Sequence, residues 1–211
     1  MKPFRRRMGA AVAELDDDER TVIARVVADV GLLLGSEPFG MERERAEART
    51  PDDVLARLLN FEEHLSDPDD PALLRLLPNA APTDREVADE FRRLTEPDLR
   101  DLKCARLRRI WEDLSAEGPR WEVPLDEAMA VAAALTDVRL VVAARLDLTT
   151  DADADALEDE VEAASAALAS GAPDDEVDRD RLGLGMLYQA LTWLQDSLIA
   201  CVIDEEGDHD E

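Results

Sequence analysis

The sequence predicts a mainly α-helical protein, a single helical domain of about six or seven helices with a minor β element. Two observations support this fold class. Several long segments carry apolar residues at helical spacing and are bounded by capping residues, glycines or prolines. Apolar residues also make up 45% of the 211 positions, which is enough for a core although 36% of the positions are charged. We expect the domain to span residues 1–203, followed by a disordered acidic tail at residues 204–211.

Three short segments form the predicted β element. Lys2–Arg6 and Ala10–Leu15 lie on either side of Met8-Gly9, and a glycine in such a short turn favours a hairpin. The third segment, "WEVPL", predicts a short strand near residues 121–124 that pairs with the hairpin.

Capping and proline signals place the helices of the first half of the chain. The first helix begins near Asp16-Asp17, where acids occupy the first turn, and ends at Gly35. After a charged connection at Ser36–Arg49, the pair Thr50-Pro51 starts a second helix. A short helical piece, "ALLRLL", follows the turn "DPDDP".

The second half of the chain is predicted to be helical as well. Thr83 starts a helix that ends at about Leu94, and "TEPD" at residues 95–98 begins a separate helix. A long helix, "DEAMAVAAALTDVRLVVAARL", follows the short strand, and an acidic segment, "DADADALEDEVE", comes next. The last helix runs from Asp174 to about Ile203.

The charge and the cysteine content limit the classes of function. A formal net charge of −27 repels nucleic-acid phosphates and anionic lipids over long range. Two cysteines form no disulfide scaffold, which fits a reducing cytosol. The longest uncharged run, Leu182–Gln195, is shorter than the roughly 20 residues that span a bilayer. We therefore expect a soluble, cytoplasmic protein.

Cys104 is the first redox candidate, because Arg100 and Arg108 each lie one helical turn away from it. Cationic neighbours favour the thiolate form of a cysteine, which is the form that oxidants attack. The alternative is an amphipathic helix in which Cys104 is a small apolar residue at the margin of the core. The apolar face of that helix comprises Leu99, Leu102, Leu107, Ile110, Trp111 and Leu114.

The same stretch is also the candidate for partner binding. Basic residues outnumber acids between Arg92 and Arg109, although no nucleic-acid-binding motif accompanies them. The candidates are Arg92, Arg93, Arg106, Arg108 and Arg109. Such clusters also occur as solvated faces or as intramolecular partners of acids, so direct nucleic-acid binding is the less expected interpretation.

The last helix carries two apolar ridges. Leu187, Leu191, Leu194, Leu198, Cys201 and Val202 form one, and Leu182, Met186 and Trp193 form the other. A helix that is apolar on two sides either crosses the centre of a domain or forms a dimer interface, so Trp193 is a further candidate contact. Cys201 is the less favoured redox candidate, because it belongs to the main ridge.

The sequence contains little that indicates catalysis or metal binding. Asp151, Asp153, Asp155 and Glu162 have the spacing of calcium ligands, but Ala156 occupies the position where an EF-hand loop needs glycine. We expect no metal, no cofactor and no enzymatic activity.

Several segments together resemble one family. They are "MKPFRRR", "DPALLRLLPNA", "LTEPDLRDLK", "WEVPLDEAMAVAAALTDVRLVVAARL" and "LYQALTWLQDSLIACV". In this order they are similar to the actinobacterial family named for the oxidative-stress regulator AosR, long catalogued as a domain of unknown function. The resemblance implies a transcriptional regulator of the oxidative-stress response that acts with an alternative sigma factor and senses oxidants through cysteine thiols. The alternative is a helical adaptor or scaffold without a redox role, with a homodimer through the last helix as one form of it.

Overall fold

The structure, a computed structural model, describes residues 1–40, 68–170 and 178–207, with the side chains of 204–207 left out. Within these ranges it has six helices and three strands. In chain order they are β1 (Lys2–Arg7), β2 (Ala10–Glu14), α1 (Asp17–Leu33), α2 (Pro71–Leu76), α3 (Arg85–Ser115), β3 (Arg120–Pro124), α4 (Ala128–Arg145), α5 (Asp151–Ala169) and α6 (Arg179–Gly207). The mainly helical fold class with a small antiparallel sheet is confirmed. The helix predicted from Thr50-Pro51 lies outside the described residues, as do residues 208–211 of the predicted tail.

The sheet has the strand order β1-β2-β3, so the predicted pairing of the hairpin with the third strand is confirmed. Strands β1 and β2 are antiparallel, with Arg7 opposite Ala10. Met8 and Gly9 between them have φ angles of 49° and 86°. A tight hairpin turn with positive φ at both central residues matches the twist of the strands, and glycine adopts that conformation without steric cost.

The chain divides into two compact units, one made of Met1 and Leu15–Trp121, the other of Lys2–Glu14 and Glu122–Glu211. The single domain expected over residues 1–203 stays a prediction. In the first unit α1 packs on α3. Their buried apolar residues are Ile23, Ala24, Val27 and Val30 on α1 and Cys104, Leu107, Ile110 and Leu114 on α3.

Capping explains where α1 begins and ends. The Asp16 carboxylate accepts a hydrogen bond from the Glu19 amide, and the Glu19 carboxylate accepts one from the Asp16 amide, both at 2.9 Å. This reciprocal capping box satisfies two amides that have no partner within the helix. At the other end Gly35 has a φ of 87°, the left-handed conformation that stops a helix.

In the second unit α6 is the central helix, because it packs on α4, on α5 and on β1. The main apolar ridge predicted on this helix is buried at Leu191, Leu194, Leu198 and Cys201. Its contact with β1 includes a hydrogen bond of 3.0 Å from the Phe4 amide to the Ser197 hydroxyl oxygen. Its contact with α5 is close, because a Cβ atom on Gly185 would lie 2.6 Å from a Val161 methyl carbon.

The prediction of two separate helices around Pro97 is wrong. The helix α3 runs without a break from Arg85 to Ser115 with Pro97 inside it. A proline in a helix interior removes one backbone hydrogen bond and costs about 3 kcal/mol. The Glu96–Arg100 ion pair spans Pro97, with 2.8 Å between Arg100 Nη2 and a Glu96 carboxylate oxygen, and it is part of the site described next.

Candidate functional site

A buried ion-pair cluster lies in the middle of α3. The Glu96 carboxylate accepts hydrogen bonds from Arg92 Nη1 at 2.6 Å and from Arg100 Nε at 2.8 Å, one helical turn away on each side. The side chains of Arg92 and Glu96 are buried, and Arg100 Nη1 also donates to the Leu34 carbonyl at 2.9 Å. Neither Arg92 nor Arg100 is therefore a freely projecting surface cation.

Cys104 lies one turn after Arg100 and is 9% exposed, at the margin of the α1–α3 core. Arg100, which the sequence suggests as an activator of this thiol, directs its guanidinium to Glu96 and to the end of α1. Cys201 is 4% exposed in the core of the second unit. Neither cysteine is in a disulfide.

Arg108, the second predicted neighbour of Cys104, stacks on an aromatic ring. Its guanidinium carbon lies 5.6 Å from the centroid of Phe39, and Phe39 lies 6.1 Å from Trp111 on α3. A cation over an aromatic face is stabilised by the ring quadrupole. Phe39 was not predicted as part of a site, because it stands in the predicted charged connection; an isolated phenylalanine among charged residues is the signal that marks it.

The exposed arginines of α3 have acidic partners on the same helix. Arg93 forms two hydrogen bonds with Glu90, at 2.9 and 2.6 Å, which lower the pKa of Glu90 and raise the pKa of Arg93. Arg109 is 3.2 Å from Asp113, and Arg106 is half-buried. The candidate arginines thus share one helix, but most of them are engaged within the protein.

A row of apolar side chains on α3 faces solvent. Val87, Phe91, Leu94 and Leu102 are each 47–60% exposed. They recur at helical spacing on one side of α3, and Asp98 and Asp101 on the same side are also exposed. The prediction that Leu102 belongs to the buried face is wrong, and the other three residues were not predicted to form a face. The spacing of Val87, Phe91 and Leu94 is the signal for this second face. We call these four residues the α3 apolar face.

Trp193 on α6 is also exposed to solvent, at 43%. It lies opposite the buried ridge that contains Leu194 and Leu198, so the two predicted ridges of this helix have different environments. Trp193 and the α3 candidates belong to different compact units.

An open cavity of about 620 Å³ lies in the first unit between the start of α1 and the end of α3. Arg20 lines it, but the Arg20 guanidinium donates to the carbonyls of Asp113, Ala116 and Arg120 at 2.7, 2.8 and 3.2 Å. It thereby satisfies carbonyl groups at and beyond the end of α3.

The acids with calcium-ligand spacing all lie on α5, within a helix and not in a loop. The Thr150 hydroxyl caps this helix, and Asp153 accepts hydrogen bonds from Thr149 and Thr150. Over residues 1–40, 68–170 and 178–207, no group of three or more His, Cys, Asp or Glu side chains is placed to hold a metal ion.

One described helix, Arg179–Ile203, is long and apolar enough to cross a membrane by length and composition. This is weak evidence for a membrane span, because core helices of soluble proteins meet the same criterion.

Comparison with known proteins identifies the family of the chain but no characterised relative. No curated protein and no solved structure matches the sequence significantly. A family model described as "Domain of unknown function (DUF2017)" matches residues 1–202. Since this match covers nearly the whole sequence, the chain belongs to the DUF2017 family.

Proposed function

We propose that this protein is a cytoplasmic regulatory protein, without catalytic activity, that acts by binding other proteins. The observation that carries the proposal is the α3 apolar face, where Val87, Phe91, Leu94 and Leu102 present their side chains to solvent. Contiguous exposed apolar patches on soluble proteins mark interaction sites, whereas apolar residues exposed singly are ordinary. The resemblance to the AosR family indicates the class of partner, an alternative sigma factor or another component of the transcription machinery.

The charges around the α3 apolar face define the chemistry of the partner. Asp98 and Asp101 are exposed along this face, and the whole chain has a net charge of −27. A partner segment with an apolar stripe and basic flanks complements both features, and opposite charges also speed the encounter. The occupant we propose is therefore a basic amphipathic helix of the partner protein.

Direct binding to DNA is the weaker proposal. Arg92 and Arg100 are bound to the buried Glu96, Arg108 lies over Phe39, and Arg93 is paired with Glu90. Contacts with phosphates would have to break these interactions and overcome the repulsion from 51 acidic residues.

Thiol sensing is a separate part of the proposal. Functional thiols need both access and a favoured thiolate. The burial of Cys104 and Cys201 favours the alternative, a helical adaptor without a redox role.

Binding of purified alternative sigma factors and core RNA polymerase from the same cell, measured by interferometry, tests the proposal. We expect the double variant Phe91→Asp/Leu94→Asp to weaken binding at least tenfold, because it places charge in the apolar centre of the interface. The matched control is Met129→Asp on α4, where an equally exposed methionine lies outside the α3 apolar face. This control should bind like the wild type.

Two results would contradict the proposal. The first is the absence of binding to every sigma factor and to core polymerase. The second is equal weakening by the double variant and by Met129→Asp. Repeating the titration with peroxide separates the two forms of the proposal, since a redox sensor changes its affinity on oxidation and an adaptor does not.

A further inference from the structure

The side of α6 opposite its buried ridge carries a long stripe of mostly apolar side chains. Each residue of a helix is rotated by about 100° from the one before it. With this rotation, all residues of the stripe fall within an arc of roughly 100° around the helix axis. The stripe comprises Leu182, Met186, Gln189, Trp193, Asp196, Ala200 and Ile203. We call it the α6 stripe.

Three of the four large apolar residues of the α6 stripe are substantially exposed, and the fourth, Leu182, is half-buried. Met186, Trp193 and Ile203 are 43–61% exposed, whereas Leu191, Leu194 and Leu198 on the other side of the helix are buried. At 1.5 Å per residue the stripe is roughly 31 Å long. Asp196 is its one charged member. In a chain with a net charge of −27, a surface with a single charged residue lets two copies approach with little local repulsion.

The order of residues along the α6 stripe is symmetric about Trp193. Leu182 and Ile203 stand 11 residues before and 10 residues after it. Met186 and Ala200 stand seven residues on either side, and Gln189 and Asp196 stand four before and three after. A symmetric dimer needs a surface that matches itself after a two-fold rotation.

We propose that the α6 stripe is a homodimer interface in which two copies of α6 cross in antiparallel orientation, with the two-fold axis at Trp193. In this arrangement Trp193 meets Trp193 of the second copy, and Leu182 meets Ile203. Asp196 meets Gln189, whose amide N–H donates to the carboxylate. Two aspartates are thus kept apart, and each charge of the stripe gains a hydrogen bond.

The dimensions of the α6 stripe predict a modest affinity. A stripe of this length on a helix about 10 Å wide offers roughly 1,000 Å² of total buried surface, the low end for specific interfaces. The central tryptophan pair supplies the type of residue that dominates binding energy. We expect a dissociation constant on the order of 1–50 µM, which decreases as salt screens the repulsion between the two copies.

A lipid surface is a less suitable occupant of the α6 stripe. Helix α5 packs beside α6 and exposes Asp155, Glu158, Asp159 and Glu162. These acids are repelled by the anionic lipids of cytoplasmic membrane surfaces. The dimer does not depend on the partner proposed for the α3 apolar face.

Sedimentation equilibrium between about 2 and 200 µM protein tests the interface. We expect the mass to rise from 23.3 kDa towards twice that value in the wild type. The substitution Trp193→Asp should raise the dissociation constant at least tenfold, because two carboxylates would meet at the axis. The control Phe91→Asp, which changes the α3 apolar face, should dimerise like the wild type.

Variants with one additional cysteine in the α6 stripe test the antiparallel orientation of the two helices. Mild oxidation forms the cross-links, and circular dichroism checks that each variant is folded. Trp193→Cys should give a cross-linked dimer, whereas Leu182→Cys alone should not, because the two copies of residue 182 lie at opposite ends of the interface. The double variant Leu182→Cys/Ile203→Cys should cross-link again. The wild type is the control for the native Cys104 and Cys201.

Four results would overturn the proposal. They are a monomer at all concentrations, a dimer unaffected by folded Trp193→Asp, equal cross-linking of Leu182→Cys and Trp193→Cys, and a monomer that co-sediments with phosphatidylglycerol vesicles. If Trp193→Asp fails to fold, the cross-linking experiment still decides the question.

Discussion

Glu96 accepts hydrogen bonds from two arginines and is itself buried, so the charges of this cluster depend on one another. When one partner of a buried ion pair is removed, the remaining charge loses its compensation. That loss costs about 3–5 kcal/mol. The cluster also links the turns of α3 before and after Pro97.

Replacement of Glu96 by alanine should therefore lower the free energy of unfolding by about 3–5 kcal/mol, because Arg92 stays buried without its carboxylate. Urea unfolding followed by circular dichroism measures the change. The control is Asp89→Asn, which alters an exposed pair with Arg85 at 3.7 Å and should change the stability by less than about 0.5 kcal/mol. Similar losses in both variants would disprove the special role of Glu96.

The two thiols should react slowly in the native protein, and Cys104 should react before Cys201. Cys104 is 9% exposed at the margin of its core, whereas Cys201 is 4% exposed and belongs to the buried ridge of α6. Timed alkylation followed by peptide mapping measures both rates, with urea-unfolded protein as the reference for full reactivity. Labelling of Cys104 at the unfolded rate would instead support a sensing thiol.

Asp153 links the stability of α5 to pH. Hydrogen bonds from Thr149 and Thr150 lower the pKa of Asp153 from its ordinary value of 3.8 to about 2. Because the folded state holds the carboxylate form, the stabilisation is complete above the unfolded pKa and is lost as the pH falls through the folded pKa.

The substitution Asp153→Asn should thus lower the Tm at neutral pH, and the difference from the wild type should shrink as the pH falls from about 4 to 2. Thermal unfolding at a series of pH values measures this difference. Asp155→Asn, a neighbouring exposed acid on the same helix, serves as the control. A difference that stays constant down to pH 2 would argue against the capping role.

At the scale of elements, two glycines on α6 have opposite roles. A Cβ atom on Gly185 would lie 2.6 Å from Val161 and 3.2 Å from Leu157, so the absence of a side chain allows α5 to pack closely. Gly183, two residues earlier, has no atom within 4 Å of the same position. Gly183 is therefore the matched control for a substitution at Gly185.

The substitution Gly185→Ala should lower the free energy of unfolding by about 1–3 kcal/mol, because the extra methyl group forces α5 away from α6. Gly183→Ala should raise it by about 0.5–1 kcal/mol, because alanine restricts the unfolded chain and favours a helix. Denaturant unfolding of both variants tests the pair. Stabilisation by Gly185→Ala would show that the α5–α6 contact adapts without strain.

At the scale of the whole molecule, the net charge of −27 opposes binding to any polyanion. Most of the arginines on α3 are also engaged by acids or by Phe39. The net negative charge and the internal pairing of the arginines thus both oppose direct binding to DNA.

We expect no measurable affinity of the isolated protein for duplex DNA near 150 mM salt. Fluorescence anisotropy of a labelled duplex, at salt concentrations from about 50 to 500 mM, tests this expectation. The control variant Arg108→Ala/Arg109→Ala should behave like the wild type. A salt-sensitive affinity that this variant abolishes would instead indicate direct contacts with phosphates.

Local signals in the sequence by themselves determined the fold class and most elements of this protein. The hairpin around Met8-Gly9, the strand near residues 121–124 and the start and end of α1 follow from turn and capping residues. These signals act within a few residues of the chain, and so a single sequence is sufficient to predict them.

The tertiary structure alone decided the continuity of α3 and the state of its functional candidates. Arg100, three residues after Pro97, donates a hydrogen bond to the Leu34 carbonyl at the end of α1, which is distant in the sequence. Arg108 is paired with Phe39, and Leu102 is exposed despite its place in an apolar pattern. The physical reason is that burial and pairing depend on which surfaces meet in space, whereas the periodicity of a sequence predicts only that an apolar face exists.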